Sequence, residues 1–99
     1  MGKTENTKKQ VKFTIDYPKA GEVIAGDHYA VRISGPRCEE VEVSIDGGDW
    51  TLCRNESDHW WFDMMHLPVG EHQLAARMIK DGDIGVSVRK FKVSQKSGS

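Results

Sequence analysis

From Val41 to Trp50 the chain reads Val-Glu-Val-Ser-Ile-Asp-Gly-Gly-Asp-Trp. Val41, Val43 and Ile45 alternate with Glu42 and Ser44. That period of two gives a strand one apolar and one wet face. Asp46-Gly47-Gly48-Asp49 breaks the pattern, and glycine tolerates the positive φ that tight hairpin turns demand. Trp50 and Leu52 restart the alternation. With Gly47-Gly48 as a two-residue loop, Ile45 lies opposite Trp50 and Val43 opposite Leu52. Turn and apolar pattern then agree on one register, with all four side chains on one face.

The same alternation recurs on both sides of this hairpin. Val11, Phe13, Ile15 and Tyr17 define a first strand, which Pro18 stops by removing an amide donor. A short apolar piece, Val23-Ile24, lies between turns at Lys19-Ala20-Gly21 and Ala25-Gly26-Asp27. Tyr29, Val31 and Ile33 carry the next strand, which Gly35-Pro36 ends. After the polar loop Asn55 to Asp58, Trp60, Phe62 and Met64 share one face of a strand, and Trp61, Asp63 and Met65 the other. Leu67 to Gly70 is a loop. Glu71 to Lys80 places His72, Leu74, Ala76 and Met78 together, and Asp81-Gly82 is a hairpin signal. The last strand runs from Ile84 to Val93. Its parity changes: Ile84, Val86 and Val88 are even, whereas Phe91 and Val93 are odd, so a β-bulge or edge twist is expected near Arg89-Lys90. Nowhere do apolar residues recur at helical spacing. About seven short strands with turns every ten residues or so predict an all-β, immunoglobulin-like antiparallel β-sandwich over residues 11–94. Residues 1–10 and 95–99 are expected as a disordered arm and tail. The expected core is Val11, Phe13, Ile15, Tyr29, Val31, Ile33, Val41, Val43, Ile45, Leu52, Trp60, Phe62, Leu74, Ala76, Val86 and Val88.

Composition narrows the function. Ninety-nine residues suit one domain. A net charge of -1 provides no basic footprint for nucleic acid. Apolar runs are too short for a membrane-spanning helix, and Met1 to Gln10 lacks the apolar stretch of a signal peptide. Met1-Gly2 and Ser97-Gly98-Ser99 are compatible with ends at which a leader or a longer chain was removed. A cytoplasmic home and an excised extracytoplasmic domain both fit.

Candidate chemistry is sparse. His28, His59, His66 and His72 are dispersed, and zinc needs three or four ligands converging within about 2.3 Å of the metal. Cys38 and Cys53 are offset by about four residues in the hairpin register, too far for a disulfide unless the chain bends. Asp46 and Asp49 offer too few oxygens for calcium and suit turn hydrogen bonds instead. No nucleophile elbow or phosphate-binding glycine loop is present, so no catalytic residue, metal or cofactor is expected. The tryptophans are the best interaction candidates. Trp60 and Trp61 face opposite ways, and Trp60, beside Phe62 and Met64, belongs to the core. Trp61, Met65 and Trp50 form the expected interaction patch, for a protein partner or for stacking on a carbohydrate. The competing expectation half-covers Trp61 with a neighbouring strand or with Arg and Lys stems.

Tyr17-Pro18 followed by Gly21-Glu22-Val23-Ile24-Ala25-Gly26 resembles the opening of many bacterial immunoglobulin-like (early-set) modules. Val41 to Trp50, Trp60-Trp61-Phe62, Leu67-Pro68-Val69-Gly70, and Ala76-Arg77 leading to Asp81 resemble the dimerisation domain of sulfite-oxidase-type molybdopterin enzymes. The threonine usual before the tryptophan in that family is missing here. The resemblance, over roughly Val11 to Val93, implies a non-catalytic module that pairs with itself or with a neighbouring domain. It does not extend to the cofactor-ligating cysteine, so Cys38 and Cys53 do not inherit that role. The expected function is protein interaction, dimerisation or structural spacing. Carbohydrate binding through Trp61, or service as an accessory domain of an oxidoreductase, are the alternatives.

Overall fold

A computed structural model describes residues 11–94 of the chain, so the expected arm and tail lie outside the described residues. The elements in order are β1 (Thr14–Tyr17), β2 (Val23–Ala25), β3 (His28–Ser34), β4 (Glu40–Ile45), β5 (Thr51–Leu52), β6 (Arg54–Glu56), β7 (His59–Met65), β8 (Gly70–Lys80) and β9 (Asp83–Ser94). They form two sheets, β1-β3-β7-β6 and β2-β9-β8-β4-β5, packed face to face. The immunoglobulin-like sandwich expected from the alternation is the observed fold. One pairing departs from the antiparallel rule: β2 runs parallel to β9, with Ile24 against Val93. The first strand splits between the sheets at Pro18–Glu22, and both halves run in the direction of β9.

Three tight turns set the registers. In each, two consecutive residues adopt positive φ, the type I′ geometry whose twist matches that of the flanking strands. They are Asp46-Gly47 (φ 52 and 77°), Ser57-Asp58 (52 and 64°) and Asp81-Gly82 (53 and 84°). The first corrects the sequence reading. The loop is Asp46-Gly47, one residue earlier than expected, and the Gly48 amide donates to Ile45 O at 2.9 Å. The ladder then pairs Val43 with Thr51 and Glu42 with Leu52. Between turn and ladder the chain spends three steps on one side (48 to 51) and two on the other (45 to 43). That extra residue moves Trp50 and Leu52 to the outer face.

The core lies between the sheets. Ile15, Ile24, Val31, Ile33, Val41, Val43, Cys53, Met64, Leu74, Ala76, Met78, Phe91 and Val93 are buried there. Val11, Phe13, Tyr29, Ile45, Trp60 and Phe62 pack against them partly exposed, so most of the expected core holds. Leu52, Val86 and Val88 do not belong to it; all three are exposed. For the last two the reason is register. β8 and β9 pair without a break from Gly70↔Val93 to Lys80↔Asp83, so the expected irregularity near Arg89-Lys90 is absent from this ladder. Odd positions of β9 face inward throughout: Gly85, then Phe91 and Val93. Gly85 fits because Val11 lies against it; a Cβ there would sit 2.1 Å from Val11 O. Tyr17 also leaves its expected face. The β1–β3 register shifts between Ile15 and Tyr17, which pairs with Arg32 on the outside.

The inward parity of β9 has a direct thermodynamic signature. Phe91→Ala should lower unfolding stability by about 3–5 kcal/mol, as for other buried aromatic truncations. Val86→Thr should stay within about 0.5 kcal/mol, as an exposed substitution does. Urea midpoints of the two variants against the parent decide it; a large loss for Val86→Thr would mean that the even face is the buried one.

Candidate functional site

The two outer faces of the sandwich differ in chemistry. On the four-stranded sheet, outward side chains are largely charged and mutually satisfied. Asp63 accepts from Arg54 Nη1 at 2.7 Å and lies 3.0 Å from His28 Nε2. Arg54 foremost, with His28, holds the Asp63 carboxyl below its usual range against partial burial. Asp16 accepts from Arg32 Nε at 3.0 Å and from the Ser34 hydroxyl, and Arg32 lies 4.9 Å from the Tyr17 ring centroid. Trp61 sits in this setting, in one cross-strand row between Arg32 and Arg54. It faces outward as expected but is half-buried. Its indole N–H donates to Glu56 O at 3.0 Å, and His59 meets it edge-on. Met65 is exposed on the same face.

The five-stranded sheet presents the opposite surface. Val86 is 62% exposed, Leu52 59%, Ile84 58%, Val88 49% and Trp50 38%. The pairing places Ile84 beside Ile79, Val86 beside Arg77 and Val88 beside Ala75. One row crosses four strands and reads Leu52, Glu42, Arg77, Val86. Its two charges are joined: Arg77 Nε donates to Glu42 Oε1 at 2.6 Å, and the guanidinium carbon lies 4.2 Å from the Trp50 ring centroid. The centre of this face is therefore a neutralised pair flanked by apolar side chains.

Trp50 thus belongs to this face, and Trp61 with Met65 to the other. The three residues expected as one patch lie on opposite sides of the sandwich. The apolar face was missed because Val86 and Val88 were assigned inward. The signal was present in the sequence: β9 carries apolar residues on both parities, as strands covered on both faces do.

Other polar features are structural. His72 has a side chain only 7% exposed, at the end of the inner face of β8. Its Nδ1 lies 2.6 Å from Asp46 Oδ2 and its Nε2 2.7 Å from Pro68 O, while its ring stacks on Phe91. Asp46 Oδ1 also accepts the Gln73 amide at 2.8 Å. A carbonyl only accepts and an ionised carboxylate only accepts, so both ring nitrogens must carry hydrogen. Asp46, then Pro68, accordingly raise the His72 pKa above its ordinary value. Partial burial opposes charge on Asp46, but the bonds from His72 and Gln73 outweigh it and lower its pKa. Cys38 and Cys53 are free thiols. Burial, with Glu42 adding to it against Arg54, pushes Cys53 up to about 12, and burial also raises Cys38; neither offers a reactive thiolate. At the end of the sandwich, Arg37, Glu39, Asp58, Trp60, Lys80 and Asp81 line an open cleft of about 680 Å³. There Lys80 pairs with Asp81, whose amide donates to Glu39. Among the described residues no three His, Cys, Asp or Glu side chains gather as a metal site, and no helix is long and apolar enough to cross a membrane.

No protein-family model and no curated protein matches the chain. Solved structures do match in fold. A fibronectin(III)-like module of Clostridium thermocellum CbhA aligns with a TM-score of 0.69 and 14% identity, over 85% of this chain and 98% of that one. CopC from Methylosinus trichosporium OB3b aligns at 0.64 and 19% identity, over 90% and 95%. The endo-β-1,4-mannanase of Thermotoga petrophila aligns at 0.73 and 18% identity, over 89% of this chain but 20% of its own. These likenesses show a sandwich fold shared with a fibronectin(III)-like module, with CopC and with part of a larger enzyme chain. The chain spans only a fifth of the mannanase. The sulfite-oxidase resemblance rests on the sequence motifs alone.

The His72–Asp46 contact should make stability depend on pH in a defined window. A raised histidine pKa contributes stability fully below the unfolded value of about 6.5, lost as pH rises through the folded one. A lowered aspartate pKa contributes above the unfolded value of about 3.9, lost as pH falls through the folded one. The contact is therefore strongest between those limits. Urea midpoints of the parent and of His72→Gln should differ more at pH 5.5 than at pH 8.5; an equal gap at both would remove His72 as a charged partner.

Proposed function

We propose that this chain is a non-catalytic sandwich module that works by docking the outer face of its five-stranded sheet onto protein. The observation that carries the reading is the exposed row Ile84, Val86 and Val88 beside Leu52 and Trp50, centred on the neutralised Glu42–Arg77 pair. Such a surface is costly to leave in water, at roughly 25 cal/mol per Å² of apolar area, and gains that amount when covered. Its charges need no partner, so it suits a protein surface of similar character. The alignment with part of a larger enzyme chain supports an appended module of this kind, and the alignment with a fibronectin(III)-like module supports a role without catalysis. Carbohydrate binding on Trp61 has less support. Its N–H is already bonded and its charged neighbours are paired among themselves.

A photoreactive amino acid at position 86, introduced into the chain in its native host, should crosslink to protein on irradiation. The same group at position 61 should give far less product. Crosslinks confined to position 61, or none from position 86, would refute docking through this face.

A further inference from the structure

We infer that the free edge of β9, from Ile84 to Val88, is a strand-addition site. Its occupant is a short extended segment of a partner protein, apolar at alternate positions and carrying a carboxylate toward Lys12. The hydrogen-bond parity of β9 carries the argument. Lys80 and Asp83 close the Asp81-Gly82 turn. A two-residue hairpin loop is bounded by a pair that exchanges both its hydrogen bonds, and such pairs recur at every second residue. Odd residues of β9 therefore give their amides and carbonyls to β8, and even residues turn theirs the opposite way. The far end of the strand shows the same parity independently. There Lys92 N donates to Glu22 O at 2.8 Å, and Lys90 O accepts from Gly21 N at 2.9 Å, both across the border with β2.

That border is covered only in part. β2 pairs with Lys92 to Ser94 and no further. Beside it, Arg89 Nη1 donates to Ile15 O and Pro18 O, which ties β9 to the end of β1. Between this tie and the turn, Ile84, Val86 and Val88 each aim an N–H and a C=O away from β8, and among the described residues no backbone group meets them. The edge opens onto a groove of about 620 Å³ that Val11, Lys12, Phe13 and Thr14 line opposite Val86 and Ser87. Val11 lies against the inner side of Gly85, beneath the edge rather than along it. Val11 and Phe13 pack on the core yet stay partly exposed, so the groove has an apolar floor. Lys12 is the one charged residue in its lining, exposed and without an ion pair among the described residues. A row of unfilled donors and acceptors is what an added strand consumes: main-chain bonds give affinity, and alternate side chains give specificity. One face of that strand continues the apolar row Ile84, Val86 and Val88. The other looks into the groove, where a carboxylate meets Lys12. Ile84 to Val88 at about 3.3 Å per residue spans roughly 16 Å, so the turn and the Arg89 tie admit a short strand only. The site adjoins the docking face but uses backbone rather than side chains, so either can fail without the other.

Amide hydrogen exchange of the whole chain, read residue by residue by NMR, tests the edge first. Ile84, Val86 and Val88 should exchange roughly a hundredfold faster than Gly85, Ser87 and Arg89. The probe is the capped heptapeptide Val-Thr-Val-Glu-Val-Thr-Val, and its control carries lysine in place of glutamate. The glutamate peptide should slow exchange at Ile84, Val86 and Val88 by about tenfold or more and leave the odd amides unchanged. The lysine peptide should bind roughly fivefold more weakly, and Lys12→Glu, at an exposed position, should reverse that preference. Val86→Pro removes an edge-facing donor while leaving the bonds to β8 in place, and should abolish the protection. Circular dichroism checks that it is folded; if it is not, Lys12→Glu carries the test. Equal protection of even and odd amides in the free chain overturns the proposal, because the edge is then already covered. So does a glutamate peptide that leaves the even amides unprotected, or binding whose charge preference Lys12→Glu does not change.

Discussion

The unbroken ladder between β8 and β9 is the constraint on which the rest of the structure depends. Eleven consecutive residue pairs run from Gly70↔Val93 to Lys80↔Asp83, closed by the Asp81-Gly82 turn. Side chains alternate with a period of two, so a one-residue slip would reverse every outward and inward assignment on β9. The turn chemistry forbids the slip. Phe91 and Val93 then point into the sandwich, Gly85 leaves room for Val11, and β2 can lie parallel beside the end of β9. The apolar even face is left outside by the same choice. Core and exposed apolar face are thus two sides of a single register.

That coupling explains what could be read from the sequence. Strands with apolar residues on one parity were legible: Val31 and Ile33, Val41 and Val43, Leu74 and Ala76 all point inward as their alternation requires. β9 was not, because alternation assigns a face only when the other face is polar. Ile84, Val86 and Val88 form the more prominent run, and an assignment to the core follows from hydrophobicity alone. What outranks them is the inward pair Phe91 and Val93 combined with a two-residue turn. The Val41–Trp50 hairpin failed for a smaller reason. Gly47-Gly48 and Asp46-Gly47 are both plausible two-residue loops, and the second is the stronger type I′ dipeptide. That choice alone shifts the register by two and leaves Trp50 and Leu52 on their face; the extra residue between Gly48 and Thr51 is what carries them across the sheet. Ser57-Asp58 has no glycine, so its positive φ values left no mark in the composition.

The candidate site was legible in its residue types and not in its arrangement. Trp61 stood out as an aromatic side chain facing away from the core, and Trp50 as one at the end of the hairpin's apolar face. Only the sheet pairing separates them, one beside Arg77 on an apolar face and one among paired charges on the other. Local alternation cannot reveal this, because it says that residues alternate and not which sheet a strand joins. The chain changes sheet between Leu52 and Arg54, within one residue.

That residue, Cys53, is buried, and its amide donates to Val41 O at 2.8 Å. It stitches the two sheets along one border, as Pro18–Glu22 does along the other, where Arg89 bonds both Ile15 O and Pro18 O. The strands at the four borders are short: β1 has four residues, β2 three, β5 two and β6 three. Short border strands are a poor template for another chain's strand, the usual route to runaway strand addition. A module built this way can carry an exposed apolar face while its border strands stay too short to template a long added strand.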